Sequence, residues 1–294
     1  MEYIRLIRVK HWVKNSFLFL PLFFSGQLDR FNLYPFLLLA FLAFSFVAST
    51  IYVLNDYKDI EADKLHPKKK LRPLASGAVR KSSALILSIL LLISGMTLAG
   101  SINLKFMFVL AIYFVMNVCY TLGLKNISIL DILIVAIGFV LRIKAGAIAT
   151  DIALSHWIII MVFLLALFMA IAKRRDDLII KQISGENMRK VVKNYSLDFL
   201  NVSMSLLMGV IFVSYLMYTL SDEVISRMGT YRLFYTSLFV LAGLLRYLQI
   251  ALVENDSGSP TDLLLKDRFI QVIIFLWVLS FYLLIYFRDF SIFY

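Results

Sequence analysis

Nine long apolar stretches constrain this chain more than any other feature, because a helix needs about 20 mostly apolar residues to cross a bilayer. They lie at approximately 16–27, 33–54, 84–100, 104–123, 129–149, 153–172, 200–220, 231–253 and 269–287. The first is the shortest and is interrupted by Pro21. The pattern predicts an all-α integral membrane protein built as a bundle of nine transmembrane helices.

The polar connections between these stretches are short. The longest, 55–83 and 173–199, each hold fewer than about 30 residues, too few for a separate soluble domain. A hydrophobic content of 61% and a mean hydropathy of +0.84 also exceed those of soluble domains. We therefore expect residues 1–294 to form a single membrane domain. The only cysteine, Cys119, lies in a predicted span, which excludes disulfide frameworks and cysteine metal sites.

The basic residues collect on one side of the predicted membrane. If residues 1–15 are cytoplasmic, nine spans place 23 of the 30 Lys and Arg residues on that same side. Positive residues favour the cytoplasmic side, so the N-terminus is predicted in the cytoplasm and the C-terminus outside the cell membrane. Topology thus accounts for the net charge of +11, and no nucleic-acid partner is expected.

Carboxylates cluster within the richest basic connection, where residues 55–63 read N-D-Y-K-D-I-E-A-D. If the second span continues as a helix past its predicted end, Asp56, Asp59 and Asp63 share one face, whereas Glu61 points elsewhere. Three carboxylates on one face repel one another, and a divalent cation relieves that repulsion. Because Mg²⁺ is typically bound by one or two carboxylates together with substrate phosphates, the face predicts a Mg²⁺-diphosphate site.

The plain alternative is a solvated helix end whose carboxylates pair with Lys64 and with Lys68 to Lys70. Residues 64–77 read K-L-H-P-K-K-K-L-R-P-L-A-S-G, and the two prolines and the glycine end the helix and fold the strip back. Its cations then face the carboxylates and can neutralise outer phosphate oxygens. His66 is a lone histidine and needs no ligand role. The combination predicts a site for a metal-bound diphosphate leaving group.

These residues carry a resemblance to a known family. Residues 55–63 match the N-D-x-x-D-x-x-x-D box of the UbiA superfamily of membrane prenyltransferases, whose nine-helix fold also matches the predicted spans. The longer stretch resembles more specifically the decaprenyl-phosphate phosphoribosyltransferase branch. The matches to that branch cover nearly the whole chain: Arg8 to Asn15 (R-V-K-H-W-V-K-N), His66-Pro67, Arg72-Pro73, Ser76-Gly77, Tyr120 to Lys125 (Y-T-L-G-L-K), Lys173-Arg174, Arg246-Tyr247 and Leu264 to Arg268.

The chain departs from the general superfamily where a second Asp-rich box follows the sixth span. Residues 172–177 read A-K-R-R-D-D, so the aspartates are adjacent and outnumbered by cations, and a second D-x-x-x-D metal face cannot form. One acidic and one basic wall suit a donor with a further phosphate besides its metal-bound diphosphate. The resemblance therefore implies transfer of 5-phosphoribosyl from phosphoribosyl pyrophosphate to a polyprenyl phosphate, with Mg²⁺ as cofactor and diphosphate released.

The candidate site residues divide by role. Metal binding and catalysis are expected from Asp56, Asp59 and Asp63, with Asn55 orienting or ligating beside them. The resemblance implies substrate binding by Lys14, Asn15, Asn55, Arg72, Lys125, Lys173 and Arg174. Of these, Lys14 and Asn15 are expected at the lipid phosphate, although Lys10, Trp12 and Lys14 equally suit anchoring at the membrane interface. We expect Arg142 and Lys144, within or near the fifth span, to reach outward or pair with Asp151 rather than contact substrate.

Two other functions stay open. The first is prenyl transfer from a prenyl diphosphate to an aromatic or other small acceptor, which uses the same Asp box. The second is a transporter or channel, for which polar groups would lie near the midplane in discontinuous helices. The charges here gather at one membrane face instead. A homo-oligomer is compatible with the sequence.

Overall fold

The computed structural model describes residues 2–65, 69–184, 190–254, 263 and 266–287. Regular structure within these ranges is helical and includes no strand, which confirms the predicted all-α class. The α-helices are α1 Glu2–Leu6, α2 Leu20–Phe24, α3 Tyr34–Lys58, α4 Ile60–Lys64, α5 Lys81–Ile102, α6 Leu104–Leu122, α7 Leu130–Thr150, α8 His156–Ser184, α9 Leu197–Leu220, α10 Asp222–Met228, α11 Ser237–Gln249 and α12 Arg268–Tyr286. The 3-10 helices are Val9–Phe19, Phe31–Leu33, Lys69–Leu71, Leu124–Asn126, Lys190–Asn194 and Arg232–Thr236, and a π-helix covers Ile250–Glu254.

Among the described residues, eight helices are long and apolar enough to cross a membrane. They correspond to the second to ninth predicted stretches, as expected for a multi-pass membrane protein. The nine-helix count and the sides of the two termini stay predictions. The eight spans are Phe31–Lys58, Lys81–Ile102, Leu104–Leu122, Leu130–Thr150, His156–Lys181, Leu197–Leu220, Arg232–Glu254 and Arg268–Tyr286.

The first predicted stretch, 16–27, does not form a regular α-helix. The N-terminal 3-10 helix, Val9–Phe19, continues into α2, where Pro21 lies in the first turn and its missing N–H leaves no helical bond unmade. A 3-10 helix rises about 2.0 Å per residue against about 1.5 Å for an α-helix. Residues 9–24 therefore extend for about 30 Å, close to the thickness of the hydrocarbon core.

The helices group into two compact units. The first comprises Met1–Lys125 with Gly138–Ala153, and the second comprises Asn126–Ile137 with Leu154–Tyr294. Helix α7 thus contributes its first residues to the second unit and the remainder to the first. The single domain over residues 1–294 stays a prediction.

In the first unit, α3 packs against α5, α6 and the N-terminal 3-10 helix, and glycines allow the closest approaches. A Cβ at Gly95 of α5 would lie 2.8 Å from Val47 Cγ2 and 3.0 Å from Ala43 O of α3. A Cβ at Gly146 of α7 would lie only 2.0 Å from Leu18 O. Because no side chain fits at Gly146, this contact sets the N-terminal 3-10 helix directly against α7.

Two polar side chains join the N-terminal 3-10 helix to α3. Trp12 donates from its indole Nε1 to Ser49 Oγ at 3.0 Å, and Asn15 donates from Nδ2 to Ser45 Oγ at 2.9 Å. The Ser49 hydroxyl in turn donates to Ile7 O at 2.8 Å. These bonds hold the N-terminal segment along the helix that carries the acidic residues.

Arg142 lies inside the first unit, so the expectation that it reaches outward or pairs with Asp151 is wrong. It is only 5% exposed, and its guanidinium carbon lies 4.9 to 5.3 Å from three aromatic ring centroids. Neutral acceptors and ring faces satisfy the cation within the bundle, which makes a carboxylate partner unnecessary. Lys144, by contrast, is exposed. The acceptors of Arg142 are Asn15 Oδ1 (2.9 Å), Gly138 O (2.8 Å) and the Tyr113 hydroxyl (2.8 Å).

The second unit has its own apolar core, to which α8, α9, α11 and α12 all contribute. Phe168, Met204, Tyr247 and Ile270 are buried there. The outward faces of these helices expose large apolar side chains such as Phe275, as a lipid environment favours.

Candidate functional site

The acidic segment, residues 55–63, begins in α3 and ends in α4. Helix α3 continues past the predicted limit of its span, as a shared acidic face requires. Helical bonds cross the break at Asp59, from its N–H to Asn55 O at 3.0 Å and from the Asp63 N–H to Asp59 O at 2.8 Å. The segment therefore keeps nearly helical spacing between its carboxylates.

The carboxylates of this segment differ sharply in exposure. Asp56 and Asp63 are 2% and 4% exposed, whereas Glu61 is exposed and pairs with Lys64 at 3.0 Å. The prediction that Glu61 points away from the other carboxylates is confirmed.

Arg72 bridges the two buried carboxylates. Its Nη1 donates to Asp56 Oδ1 at 3.1 Å and to Asp63 Oδ2 at 2.6 Å. The Arg72 N–H bonds Lys69 O at 2.9 Å, and Gly77 adopts φ +78° in the turn that follows. The predicted return of this strip toward the acidic segment is thereby confirmed for Arg72. The predictions for His66, Pro67 and Lys68 lie outside the described residues.

Lys125 forms an ion pair with the remaining aspartate of the segment, Asp59. It lies in the 3-10 helix Leu124–Asn126, and its Nζ donates to both Asp59 oxygens at 3.0 Å and to Asn55 Oδ1 at 3.3 Å. Asn55 thus orients the same cation as Asp59. Two of the predicted cations of the first unit, Arg72 and Lys125, thus contact the acidic segment.

The acidic segment suits a divalent cation held by two carboxylates rather than by three. Asp56 and Asp63 converge on one Arg72 nitrogen, whereas Asp59 turns to Lys125, so the predicted three-aspartate face is divided. Throughout the described residues, no three His, Cys, Asp or Glu side chains are close enough to hold a metal. Two carboxylates nonetheless fit Mg²⁺, since substrate phosphates typically supply further oxygens.

Arg8 is a further member of this site that the sequence reasoning did not single out. Its Nη2 donates to Asp56 Oδ1 at 2.5 Å, and its guanidinium carbon lies 5.0 Å from the Tyr52 ring centroid. The backbone of Arg8 is left-handed, at φ 54° and ψ 50°, a conformation that non-glycine residues rarely adopt. The signal available was its place at the start of the motif at 8–15.

Lys14 and Asn15, the two residues predicted at the lipid phosphate, have different surroundings. Lys14 is half-buried. Asn15 is buried and uses its amide group to join Ser45 and Arg142. These bonds favour packing as the role of Asn15, and lipid contact by Lys14 stays a prediction.

In the second unit, Arg174 forms a buried ion pair that the sequence did not reveal. Its Nε donates to Asp131 Oδ2 at 2.6 Å and its Nη1 to Asp177 Oδ2 at 2.7 Å. The side chains of Arg174 and Asp131 are 4% and 0% exposed. Lys173, its neighbour in sequence, is exposed. The predicted pair of phosphate-binding cations therefore divides into one buried and one exposed residue.

Tyr195 is a further hydrogen-bonding partner of Asp131. Its hydroxyl donates to Asp131 Oδ1 at 2.7 Å and accepts the Ile129 N–H at 2.7 Å. Burial and the bond to Asp131 raise the pKa of Tyr195 to about 12, so the hydroxyl keeps its proton. Ile129 adopts φ 70°, a strained conformation for a β-branched residue. A carboxylate at the start of a predicted span was the only sequence signal for Asp131.

Arg246, another arginine of the matched motifs, forms two ion pairs in the second unit. Arg246 pairs with Asp267 at 2.8 Å and with Glu254 at 2.9 Å. The Asp267 carboxylate also accepts the Ile270 N–H at 2.9 Å, which caps α12. The bond from Arg246 holds the pKa of Asp267 below its usual value. Of the remaining matched loop, residues 264 and 265 lie outside the described residues.

An apolar groove of about 170 Å³ lies in the first unit beside the acidic segment. It is bordered by Ile51, Leu54, Val118 and Leu122 of α3 and α6. At its edge, Lys58 donates from Nζ to the carbonyls that end α6, at 2.7 and 2.9 Å. The groove can hold a short apolar chain next to the charged site.

Comparison with known proteins places the chain among membrane transferases. The profile of the family described as UbiA prenyltransferase family matches residues 17–279. The chain is 31% identical to the decaprenyl-phosphate phosphoribosyltransferase of Mycolicibacterium smegmatis over 285 residues, 94% of this chain and 89% of that one. It is 29% identical to the protein of the same name from Corynebacterium glutamicum, over 96% of this chain and 86% of the relative.

Solved structures share the fold. A UbiA homolog from Archaeoglobus fulgidus, bound to GPP and Mg²⁺, superposes with a TM-score of 0.71 at 19% identity, over 97% of this chain and 99% of that one. A digeranylgeranylglyceryl phosphate synthase superposes with a TM-score of 0.65 at 19% identity, over 96% of each chain.

Proposed function

This chain belongs to the UbiA prenyltransferase family, and from that membership we propose that it transfers 5-phosphoribosyl from phosphoribosyl pyrophosphate to a polyprenyl phosphate of the decaprenyl type. The observation that carries the proposal is its similarity, over 94% of its length, to a decaprenyl-phosphate phosphoribosyltransferase. The buried carboxylates bridged by Arg72 supply the chemistry that such a donor needs.

The reaction breaks the bond between the ribose anomeric carbon and the diphosphate oxygen, and the electron pair leaves with diphosphate. Mg²⁺, when bound, stabilises the negative charge that develops on the leaving oxygens. Asp56 and Asp63 would hold that ion, while Arg72 and Lys125 would neutralise the outer phosphate oxygens. These carboxylates and cations lie within hydrogen-bonding distance of one another, so the groups that would hold the metal and the phosphates are gathered at one site.

The acceptor needs no protein base. A polyprenyl phosphate is already anionic, so its oxygen can form the new bond to the anomeric carbon without losing a proton. The apolar groove beside the acidic segment would take the part of the prenyl chain next to the phosphate. We place this reaction on the cytoplasmic face of the cell membrane because the basic connections gather there.

The 5-phosphate of the donor requires a further cation. Lys173 is exposed and suits that role, whereas Arg174 is neutralised by two carboxylates. We therefore assign phosphate binding to Lys173 and a structural role to Arg174.

The direct test incubates purified protein with Mg²⁺, labelled phosphoribosyl pyrophosphate and polyprenyl phosphates of several lengths. We expect a labelled polyprenylphosphoryl 5-phosphoribose and stoichiometric diphosphate, both abolished by a chelator. The second candidate is prenyl transfer to an aromatic or other small acceptor, which the fold shared with a GPP-bound homolog favours. Transfer from geranyl diphosphate to an aromatic acid, with phosphoribosyl pyrophosphate ignored, would replace the first proposal by the second.

A further inference from the structure

The first unit pairs each aspartate of the acidic segment with a basic side chain. Asp56 accepts from Arg8 and Arg72, Asp63 accepts from Arg72, and Asp59 accepts from Lys125. The donor-to-acceptor distances are 2.5 Å from Arg8, 3.1 and 2.6 Å from Arg72, and 3.0 Å from Lys125. Three carboxylates and three cations therefore form one locally neutral set.

This neutral set disfavours binding of the metal without diphosphate and of diphosphate without the metal. A metal ion held by Asp56 and Asp63 must displace Arg8 and Arg72, which leaves two partly buried cations without a counter-charge. Diphosphate alone must draw the same arginines away, which leaves the buried Asp56 and Asp63 carboxylates unpaired. Both states are unfavourable because a buried charge is strongly destabilised when its partner is removed.

When metal and diphosphate enter together, each charge exchanges one partner for another. Asp56 and Asp63 pass from arginine to metal, and the arginines pass from carboxylate to phosphate oxygens. We infer that Arg8 is a phosphate ligand of the donor site and that, with Arg72 and Lys125, it makes metal and diphosphate bind cooperatively. This inference rests on the proposed function in requiring a metal-diphosphate donor.

The surroundings of Arg8 suit such an exchange. Its side chain is 20% exposed, so a ligand can reach it, whereas that of Asp56 is 3% exposed. The Tyr52 ring, 5.0 Å from the guanidinium carbon, stabilises the cation through its face and does not depend on the carboxylate. The left-handed backbone at Arg8 costs free energy and persists only where the surroundings impose it, as at ligand sites.

The test measures binding to the purified full-length protein rather than turnover. Mn²⁺ replaces Mg²⁺ so that electron paramagnetic resonance can count the free ion, and inorganic diphosphate is the anionic probe. Three affinities are measured: Mn²⁺ alone, diphosphate alone in chelator, and diphosphate at saturating Mn²⁺. For the parent protein we expect weak binding of either alone and at least tenfold tighter diphosphate binding with the metal present, after correction for association of the two in solution.

The Arg8→Met variant should move two affinities in opposite directions. Mn²⁺ alone should bind about tenfold more tightly, because Asp56 loses a competitor, and metal-diphosphate should bind about tenfold more weakly, because a charge-assisted phosphate bond is lost. The matched control is Lys64→Met, which removes the same charge from the exposed pair with Glu61. It should change neither affinity by more than about twofold.

A purely structural Arg8 would weaken both affinities or leave both unchanged, and either result overturns the inference. If Arg8→Met does not fold, Asp56→Asn gives an independent arm: metal-free diphosphate should bind more tightly because Arg8 loses its paired carboxylate and Arg72 keeps only Asp63. The matched Glu61→Gln protein should not show this gain, and no gain in Asp56→Asn also overturns the inference. Because diphosphate leaves in both candidate reactions, cooperative binding without phosphoribosyl transfer would defeat the proposed function alone.

Discussion

Replacing Asp131 by Ala tests the buried ion pair of the second unit, because it leaves the Arg174 guanidinium without its fully buried counter-ion. The lost contacts are the 2.6 Å bond from Arg174 and the 2.7 Å bond from the Tyr195 hydroxyl. Removing one partner of a buried pair costs about 3 to 5 kcal/mol. Arg174 keeps Asp177, so we expect the lower end of that range, together with about 1 kcal/mol for the tyrosine bond.

A loss of about 4 kcal/mol lowers the ratio of folded to unfolded protein roughly 1000-fold. The measurement is equilibrium unfolding in mixed micelles with a rising fraction of denaturing detergent, followed by circular dichroism. Asp198→Ala is the matched control, since Asp198 is exposed and, like Asp131, lies in the first turn of its helix. The control should cost about 1 kcal/mol or less, the scale of a helix-dipole interaction.

A rescue variant separates the charge effect from simple loss of volume. Asp131→Leu combined with Arg174→Met replaces the ion pair by apolar groups, and such replacements are often neutral or stabilising. We therefore expect the double variant to recover most of the stability lost in Asp131→Ala. A single variant as stable as the Asp198→Ala control, or a double variant no better than the single, would refute the reasoning.

Three further predictions follow from the site and the topology. Asp56→Asn should lower the rate of diphosphate release by roughly 100-fold or more, the scale of losing a key electrostatic group, while Glu61→Gln should retain it in the same assay. Lys173→Ala should raise the KM for phosphoribosyl pyrophosphate by roughly tenfold or more without changing that of the lipid, as initial rates at varied donor will show. A cysteine at Ser76 should react with an impermeant label only from the cytoplasm and one at Ser226 only from outside; labelling of both from one side would contradict the nine-span topology.

Hydropathy and helical periodicity predicted the features that depend on residues close together in the sequence. Eight spans follow from their apolar length, and the outward direction of Glu61 follows from its angular offset on a helix. The return of Arg72 toward the acidic segment was foreseeable because two prolines and a glycine, at positions 67, 73 and 77, follow that segment in the sequence. These features depend on neighbours within a few turns of the chain.

Sequence patterns did not predict the ion pairs between residues far apart in the chain. Arg174 meets Asp131 across 43 residues, and Arg8 meets Asp56 across 48. A sequence displays their charges but not which cation packs against which carboxylate. For Arg142 the error came from expecting a carboxylate partner, whereas ring faces and neutral oxygens satisfy it.

The bonds between the N-terminal 3-10 helix and α3 imply a spacing rule. Trp12 and Asn15 are three residues apart, while their partners Ser49 and Ser45 are four apart. Three residues of a 3-10 helix and four of an α-helix both advance by about 6 Å, so a repeat of three on one helix meets a repeat of four on the other. A residue inserted between Trp12 and Asn15 would turn the following part by about 120° and carry Asn15 away from Ser45. Any chain that keeps this contact must therefore preserve both spacings together.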